Sequence, residues 1–143
     1  WVKSDVGGMA RYENDYYHQV TQDLEKVPGN PWFICTLWLS QYYIKLSATK
    51  PREQGEKLMK KAKELMTWVS QRVLPSGILA EQVHPHTNEP LSVSPLTWSH
   101  ATFVLTVLQY LEKLSEINTC TKCGRKMPIF SEYKHEHEER IEK

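Results

Sequence analysis

Two polar stretches hold the side chains of this sequence that could do chemistry. Residues 7–17, GGMARYENDYY, combine an arginine, acidic and amide groups and three tyrosines. Residues 76–100, SGILAEQVHPHTNEPLSVSPLTWSH, hold carboxylates, hydroxyls and imidazoles between prolines. Carboxylates can transfer protons, and charged groups and aromatic rings can bind a polar ligand. We therefore predict that both stretches are active-site loops.

Two strongly apolar helices are predicted to follow these loops. Asn30 can cap the first helix and Pro31 suits its first position, so we predict a helix over residues 32–48. Ser94-Pro95 leads into another, which ends near residue 118. Both are apolar on almost every side, which indicates burial on most of their surface.

A third helix, between these two, begins at Pro51 and ends before the breaker cluster of residues 75–77. Its apolar residues keep three-and-four spacing with lysines between them, which predicts a helix that lies on the surface. No stretch shows sustained strand alternation, so the predicted class is all-α. Antiparallel packing of consecutive helices would bring the loops 7–31 and 76–97 together at one end.

The composition favours a neutral partner. The 143 residues include 18 basic and 17 acidic side chains, a net charge of +1, so nothing attracts nucleic acid or a membrane surface. No apolar run approaches the roughly 18 residues of a membrane span. The sequence begins at Trp1 without Met, and we expect it to be part of a longer protein. Its three cysteines form no disulfide framework, so we expect a cytoplasmic location.

Four motifs, in this order and spacing, carry a resemblance to a known family: RYEND, GNPWFICTLWLSQYY, GILAEQVHP and PLSVSPLTWSHATFVLT. Over about residues 7–114 the sequence resembles the last part of the catalytic domain of glycoside hydrolase family 15, which holds glucoamylases, glucodextranases and related trehalases. The resemblance implies an (α/α)6 barrel. Residues 1–118 would supply about its last three helices, with the first and third inner and the second outer. Residues 119–143 lie outside the resemblance, and their charged, Cys- and His-bearing composition predicts a small, irregular tail.

The resemblance also implies a reaction. The complete domain would be an exo-acting, inverting α-glucosidase of glucoamylase type that hydrolyses α-linked glucosyl saccharides without a cofactor. In inverting enzymes a carboxylic acid protonates the leaving oxygen, and a carboxylate about 6.5–9.5 Å away activates water on the opposite face. Glu81, in the AEQ motif, matches the family's general base. Ser92 matches a serine that hydrogen-bonds this base, and Gln82 is expected to support it as well.

The sugar-binding residues implied by the resemblance lie mostly in the first loop. Arg11 and Asp15 match family residues that hold glucose hydroxyls, for which a donor fork and a carboxylate acceptor are suited. Tyr12 between them is assigned to the same group. Trp32 and Trp98 match rings that line the pocket, where pyranose C–H groups can lie on an aromatic face. The alternative for Arg11 and Asp15 is a structural ion pair.

The general acid has no counterpart in this sequence, because the family carries it in an earlier segment. Glu13 and Glu89 are spare carboxylates, and neither has a reason to take that role. We expect the chain to be inactive alone and its partners to be an α-glucosyl oligosaccharide and either the missing upstream part of the barrel or another copy. The alternative is a non-catalytic carbohydrate-binding or regulatory module, because regulatory subunits of phosphorylase kinase also resemble this family.

The tail offers a second kind of chemistry. Cys120-x-x-Cys123-Gly124 resembles one knuckle of a zinc ribbon, and His135 and His137 could complete the four ligands of a structural zinc. The other interpretation is a solvated tail whose cysteines stay reduced.

The remaining rings and the third cysteine are predicted to be structural. Trp38, Tyr42 and Tyr43 have helical spacing and are predicted to be core residues. Trp68 is predicted to pack in the outer layer, and Cys35 to be a buried, small apolar residue.

Overall fold

The structure, a computed structural model, describes residues 1–117 and is mostly helical beyond a long irregular N-terminal segment. Its elements are α1 Phe33–Ser47, α2 Arg52–Ser70, β1 Gln82–Val83, β2 Pro90–Leu91 and α3 Thr97–Ile117. The three predicted helices are confirmed. The antiparallel ribbon of β1 and β2 was not predicted, because two-residue strands are too short to show alternation. None of the described helices is long and apolar enough to cross a membrane.

The start of α1 differs from the prediction. Trp32, rather than Asn30, precedes the helix, and its backbone is extended, with φ −108° and ψ 135°. Trp32 stays extended because it forms isolated β-bridges with Met9 and with Gln82. The side-chain amide of Asn30 instead donates to the carbonyl oxygen of His18 at 2.7 Å and to Oε1 of Gln82 at 2.9 Å. The cap assignment of Asn30 was therefore wrong, and its amide joins the two loops.

The main core lies between α1, α2 and the loop that follows α2. Phe33 and Leu37 of α1 are almost completely buried there. The remaining buried members of this cluster are Val6, Met66, Trp68, Val69, Leu79, Ala80 and Val83. Because Leu79, Ala80 and Val83 flank the predicted base in sequence, the segment that carries Glu81 is anchored in the core on both sides.

The α2 helix contacts this core with one face, as the spacing of its apolar residues predicts. Its Trp68 is buried against the N-terminal segment and donates from Nε1 to the carbonyl oxygen of Val6 at 2.6 Å. Gly8 passes directly over this ring with φ +93°, and a Cβ there would lie 2.6 Å from Trp68 Cζ2. Only glycine fits this position. The N-terminal segment is thereby held to α2, and it carries the first polar loop with it.

Exposed apolar side chains cover one side of α1 and α3. We call this surface the apolar face; its members are Trp38, Tyr42, Val104, Leu105, Leu108 and Leu111. Trp38 is 47% exposed and Tyr42 is 56% exposed, so their assignment to the core was wrong for the described residues, while Tyr43 is half-buried. No element of residues 1–117 packs over this side. The sequence predicts burial for most of the surface of these two helices, and within residues 1–117 this side of them is exposed instead.

The difference between the core and the apolar face can be measured with two leucines. Leu37 is fully buried, and Leu37→Ala should lower the free energy of unfolding by about 2–5 kcal/mol, since it leaves a cavity. Leu108 is 58% exposed, and Leu108→Ala in the same chain should cost only about 0.5 kcal/mol. Urea unfolding followed by circular dichroism measures both. Equal losses would contradict this assignment of core and surface.

Candidate functional site

The two polar loops meet on either side of Trp32. Its backbone N–H donates to the carbonyl oxygen of Met9 in the first loop at 2.8 Å. On the other side, Val83 N–H donates to the carbonyl oxygen of Pro31 at 2.9 Å, and Trp32 forms a bridge with Gln82. The two loops therefore converge in front of α1, as their order along the chain predicts.

Glu81 lies where the second loop reaches this junction, and it is partly exposed. Its Oε2 accepts a short hydrogen bond from the Ser92 hydroxyl and a longer one, 3.4 Å, from Nε2 of Gln82. No donor among residues 1–117 reaches Oε1. The backbone N–H of Glu81 donates to the carbonyl oxygen of Val93 at 2.9 Å. The carboxylate is thus oriented through one oxygen, and the other has no protein donor in this part of the chain.

Ser92 occupies an unusual backbone conformation, with φ +64°. L-residues other than glycine rarely adopt this left-handed region, and it persists where the surrounding structure holds it. Here it turns the Ser92 hydroxyl towards Glu81. The hydroxyl of Tyr17, from the first loop, lies 3.4 Å from Ser92 Oγ, and either atom could be the donor. Both loops thus contribute to the surroundings of this carboxylate.

Gln82 connects Glu81 to the first loop. Its side chain is fully buried; Oε1 accepts from Asn30 Nδ2, while Nε2 donates to Glu81. The sequence analysis missed Asn30 and Tyr17 as members of the site. Asn30 was interpreted as a helix cap because it precedes Pro31, and that pattern gives no sign of its contact with Gln82. For Tyr17 a local signal exists, because its backbone N–H bonds Asp15 Oδ1 two residues earlier, in an Asx-type turn.

Arg11 and Asp15 form a two-pronged ion pair. Arg11 Nε donates to Oδ2 at 2.7 Å and Nη2 donates to Oδ1 at 2.8 Å, while the Asp15 side chain is fully buried. The hydrogen bonds from Arg11 hold the pKa of Asp15 below its usual value against the opposing effect of burial, and they raise the pKa of Arg11. This is the geometry of the ion-pair alternative. Contact of Asp15 with a ligand stays a prediction.

The guanidinium of Arg11 is stacked among three rings. Its Cζ lies 4.3 Å from the ring centroid of Trp32, 5.0 Å from that of Tyr17 and 5.3 Å from that of Tyr12. Cations are attracted to the faces of aromatic rings, so these three contacts fix the guanidinium in place together with its hydrogen bonds to Asp15. The side chain of Arg11 is 31% exposed. The cation is therefore both fixed in direction and accessible.

A cavity of about 430 Å³ opens beside Arg11. It is lined by Met9, Ala10, Arg11, Trp32, Ile34, Cys35, Trp38, Leu39 and Trp98. The rings of Trp38 and Trp98 lie 5.6 Å apart and are about half exposed. Trp32 is 3% exposed, and its indole Nε1–H has no acceptor within residues 1–117. Burial raises the pKa of the half-buried Cys35 thiol to about 11.

The other predicted residues lie apart from this cluster. Tyr12 is 58% exposed; its ring lies beside Arg11, and its side chain also contributes to lowering the pKa of Asp15. Glu13 is exposed, and Glu89 accepts a hydrogen bond from the Thr87 hydroxyl at 3.1 Å near the turn of the ribbon. The proposed metal ligands Cys120, Cys123, His135 and His137 lie outside the described residues. Residues 1–117 contain no group of three or more side chains that could hold a metal ion.

Comparison with known proteins gives one family and one relative. Residues 2–108 match the model of the glycosyl hydrolases family 15. An uncharacterised glycosyl hydrolase of Methanocaldococcus jannaschii is 36% identical over 110 residues. The match covers 75% of this chain and 16% of the relative, so the chain spans a small part of that protein's length. No solved structure gives a significant match.

Because Asp15 is buried in an ion pair, the free energy of unfolding should depend on pH in the acid range. Because the folded chain holds its pKa below the ordinary 3.8, the contribution of the carboxylate is complete above that value and is lost as the pH falls through the folded-state pKa. The unfolding free energy of wild type should therefore fall more steeply than that of Asp15→Asn between about pH 4 and pH 2.

The matched control for this titration is Asp23→Asn. Asp23 is half exposed; its carboxylate forms a 3.7 Å ion pair with Lys26 and accepts a 3.3 Å hydrogen bond from the Lys26 backbone N–H, which an asparagine oxygen can also accept. Exposed pairs contribute little, so this variant should keep the wild-type pH profile of thermal unfolding. Identical acid profiles for wild type and Asp15→Asn would contradict the assigned ion pair.

Proposed function

The chain belongs to family 15 of the glycosyl hydrolases, and on that premise we propose that it is the C-terminal portion of an inverting α-glucosidase of glucoamylase type. In this proposal it supplies the general base, Glu81, and part of the pocket for the terminal glucosyl unit of an α-linked saccharide. The observation that carries the proposal is the Glu81 carboxylate, which is oriented by the Ser92 hydroxyl and partly open to solvent.

A general base must be ionised, directed and able to reach water. The hydroxyl of Ser92 and the amide of Gln82 donate to Oε2 of Glu81, which favours the carboxylate and limits its rotation. Oε1 has no donor among residues 1–117 and is the oxygen that we assign to the attacking water. The partial exposure of Glu81 supports access of that water to the carboxylate.

We assign recognition of the sugar to Arg11 and the rings around the cavity. A guanidinium has five N–H donors, and the two hydrogen bonds to Asp15 leave others for glucose hydroxyls. In this assignment Asp15 acts by fixing Arg11. Trp98 offers an exposed face to the pyranose ring. The buried, unpaired Nε1–H of Trp32 supports the proposal, because such donors normally have an acceptor, here an oxygen from outside the described residues.

The domain is incomplete in this proposal. We propose that residues 1–118 end an (α/α)6 barrel, with α1 and α3 as inner helices and α2 as an outer helix, and that upstream helices cover the apolar face and bring the general acid. The one-sided burial of α2 and the exposure of Leu105 and Leu108 on α3 support this arrangement. The appended tail of residues 119–143, its zinc site and a cytoplasmic location stay predictions.

The function is tested by reconstitution. Hydrolysis of a chromogenic α-glucoside and of maltotriose is measured with this chain alone and with the chain mixed with the upstream portion of a glucoamylase-like barrel. We expect activity only in the mixture. Glu81→Gln should lower kcat about 10²–10⁴-fold, since it removes the base. The matched control, Glu89→Gln, changes an exposed carboxylate of the same loop and should retain activity.

Two results would contradict this assignment. Full activity with Glu81→Gln would exclude Glu81 as the base. No hydrolysis by a mixture that assembles and still binds glucose would favour the alternative function, a non-catalytic carbohydrate-binding or regulatory module. Sedimentation and calorimetric titration with glucose establish whether assembly and binding have occurred.

The apolar face should govern association. Leu108→Glu introduces a charge in the middle of this face, so it should prevent self-association of the chain and its assembly with the upstream portion. Lys60→Glu, on the exposed side of α2, is the control and should leave both unchanged. Analytical ultracentrifugation measures the two equilibria. Assembly of Leu108→Glu at wild-type strength would exclude the apolar face as the interface.

A further inference from the structure

Three polar groups of the backbone just before Glu81 are bound by the first turn of α3 and by Leu96, the residue that precedes it. The N–H of Leu79 donates to Nε2 of His100 at 3.0 Å. The carbonyl oxygen of Leu79 accepts from Leu96 N–H at 3.0 Å, and the carbonyl oxygen of Ala80 accepts from Ser99 Oγ at 2.7 Å. Leu79 and Ala80 are each 2% exposed, so water cannot replace these partners without a change of structure.

From this geometry we propose that His100 is a positioning residue for Glu81, acting with Ser99 as a clamp on Leu79 and Ala80. The proposal rests on the assignment of Glu81 as the base. Nε2 of His100 accepts a hydrogen bond here and therefore carries no proton. The imidazole is then the neutral tautomer with its proton on Nδ1. The role of His100 is to supply an acceptor atom from a helix to the backbone of a neighbouring loop.

The clamp precedes Glu81, whose own backbone N–H also donates to the carbonyl oxygen of Val93 at 2.9 Å. On the other side, the carbonyl oxygen of Glu81 accepts from Phe33 N–H at the long distance of 3.4 Å. A buried N–H without an acceptor is unfavourable, so loss of the imidazole would make Leu79 move until its N–H reached another acceptor or water. Only Ala80 separates Leu79 from Glu81, and no glycine between them could absorb the movement. The displacement would therefore pass to the carboxylate.

Misplacement of a catalytic group has a known signature. An error of about 1 Å at a reacting group can cost about a hundredfold in rate. Of the sugar contacts proposed above, Arg11 lies in the first loop, and Trp98 belongs to α3 itself rather than to the segment of Leu79 and Ala80 that the clamp holds. Loss of the clamp should therefore lower kcat and leave KM near its wild-type value. A residue that merely supports the fold would instead change the global stability and every contact together.

The first test uses this chain alone and does not depend on activity. His100→Leu removes the acceptor, whereas His100→Gln retains an acceptor oxygen on a side chain of similar reach. Amide hydrogen exchange at Leu79 and Glu81 should become about tenfold faster or more in His100→Leu, because opening of this segment becomes easier. Exchange in α2 should be unchanged, and His100→Gln should restore most of the protection. His86→Leu, an exposed histidine of the ribbon turn, is the control.

The second test measures kcat and KM in the reconstituted enzyme. His100→Leu should lower kcat about 10–100-fold with little change in KM, and His100→Gln should recover most of the loss. An unchanged kcat, or an unchanged exchange rate at Glu81 in His100→Leu, would overturn the proposal. If the wild-type mixture is inactive, the proposed function fails, and the exchange experiment alone decides whether His100 holds the Glu81 segment.

Discussion

The arrangement depends on one residue, Trp32, being held extended between two loops. Its bridges to Met9 and Gln82 bring the arginine loop and the glutamate loop to opposite sides of the same backbone. Its ring supports the guanidinium of Arg11, and the residue that follows it bonds the carbonyl oxygen of Glu81. Because Trp32 occupies the N-cap position of α1, the helix begins without a side-chain cap. A local helix signal has been overridden by a contact between distant segments.

Two carboxylates within this small region have opposite environments. Asp15 is fully buried and both of its oxygens are bound by Arg11, which lowers its pKa and fixes the cation. Glu81 is bound through one oxygen by a hydroxyl and an amide, and it is partly exposed. The first environment suits a structural anion, and the second suits a group that must exchange a proton with water. The roles that we propose for the two carboxylates therefore differ because of burial and the kind of donor, not because of residue type.

The helices could be predicted from the sequence because their signals are local: apolar spacing, and prolines before α2 and α3. The Arg11–Asp15 pair could also be predicted from the sequence, since opposite charges four residues apart can meet within a short local segment. The contacts of Tyr17 with Ser92, Asn30 with Gln82 and His100 with Leu79 span up to 75 residues and leave no periodic trace. The rings of the apolar face look like core residues in sequence. They are exposed in the described residues, and in our proposal upstream helices cover them.

The most direct measurement is the configuration of the glucose first released from an α-glucoside by the reconstituted enzyme, followed by proton NMR before mutarotation. If Glu81 activates a water on the face opposite the leaving group, a single displacement occurs and β-glucose must appear first. Initial release of α-glucose would mean two displacements and a covalent intermediate. That result would contradict the role of Glu81 as an inverting general base.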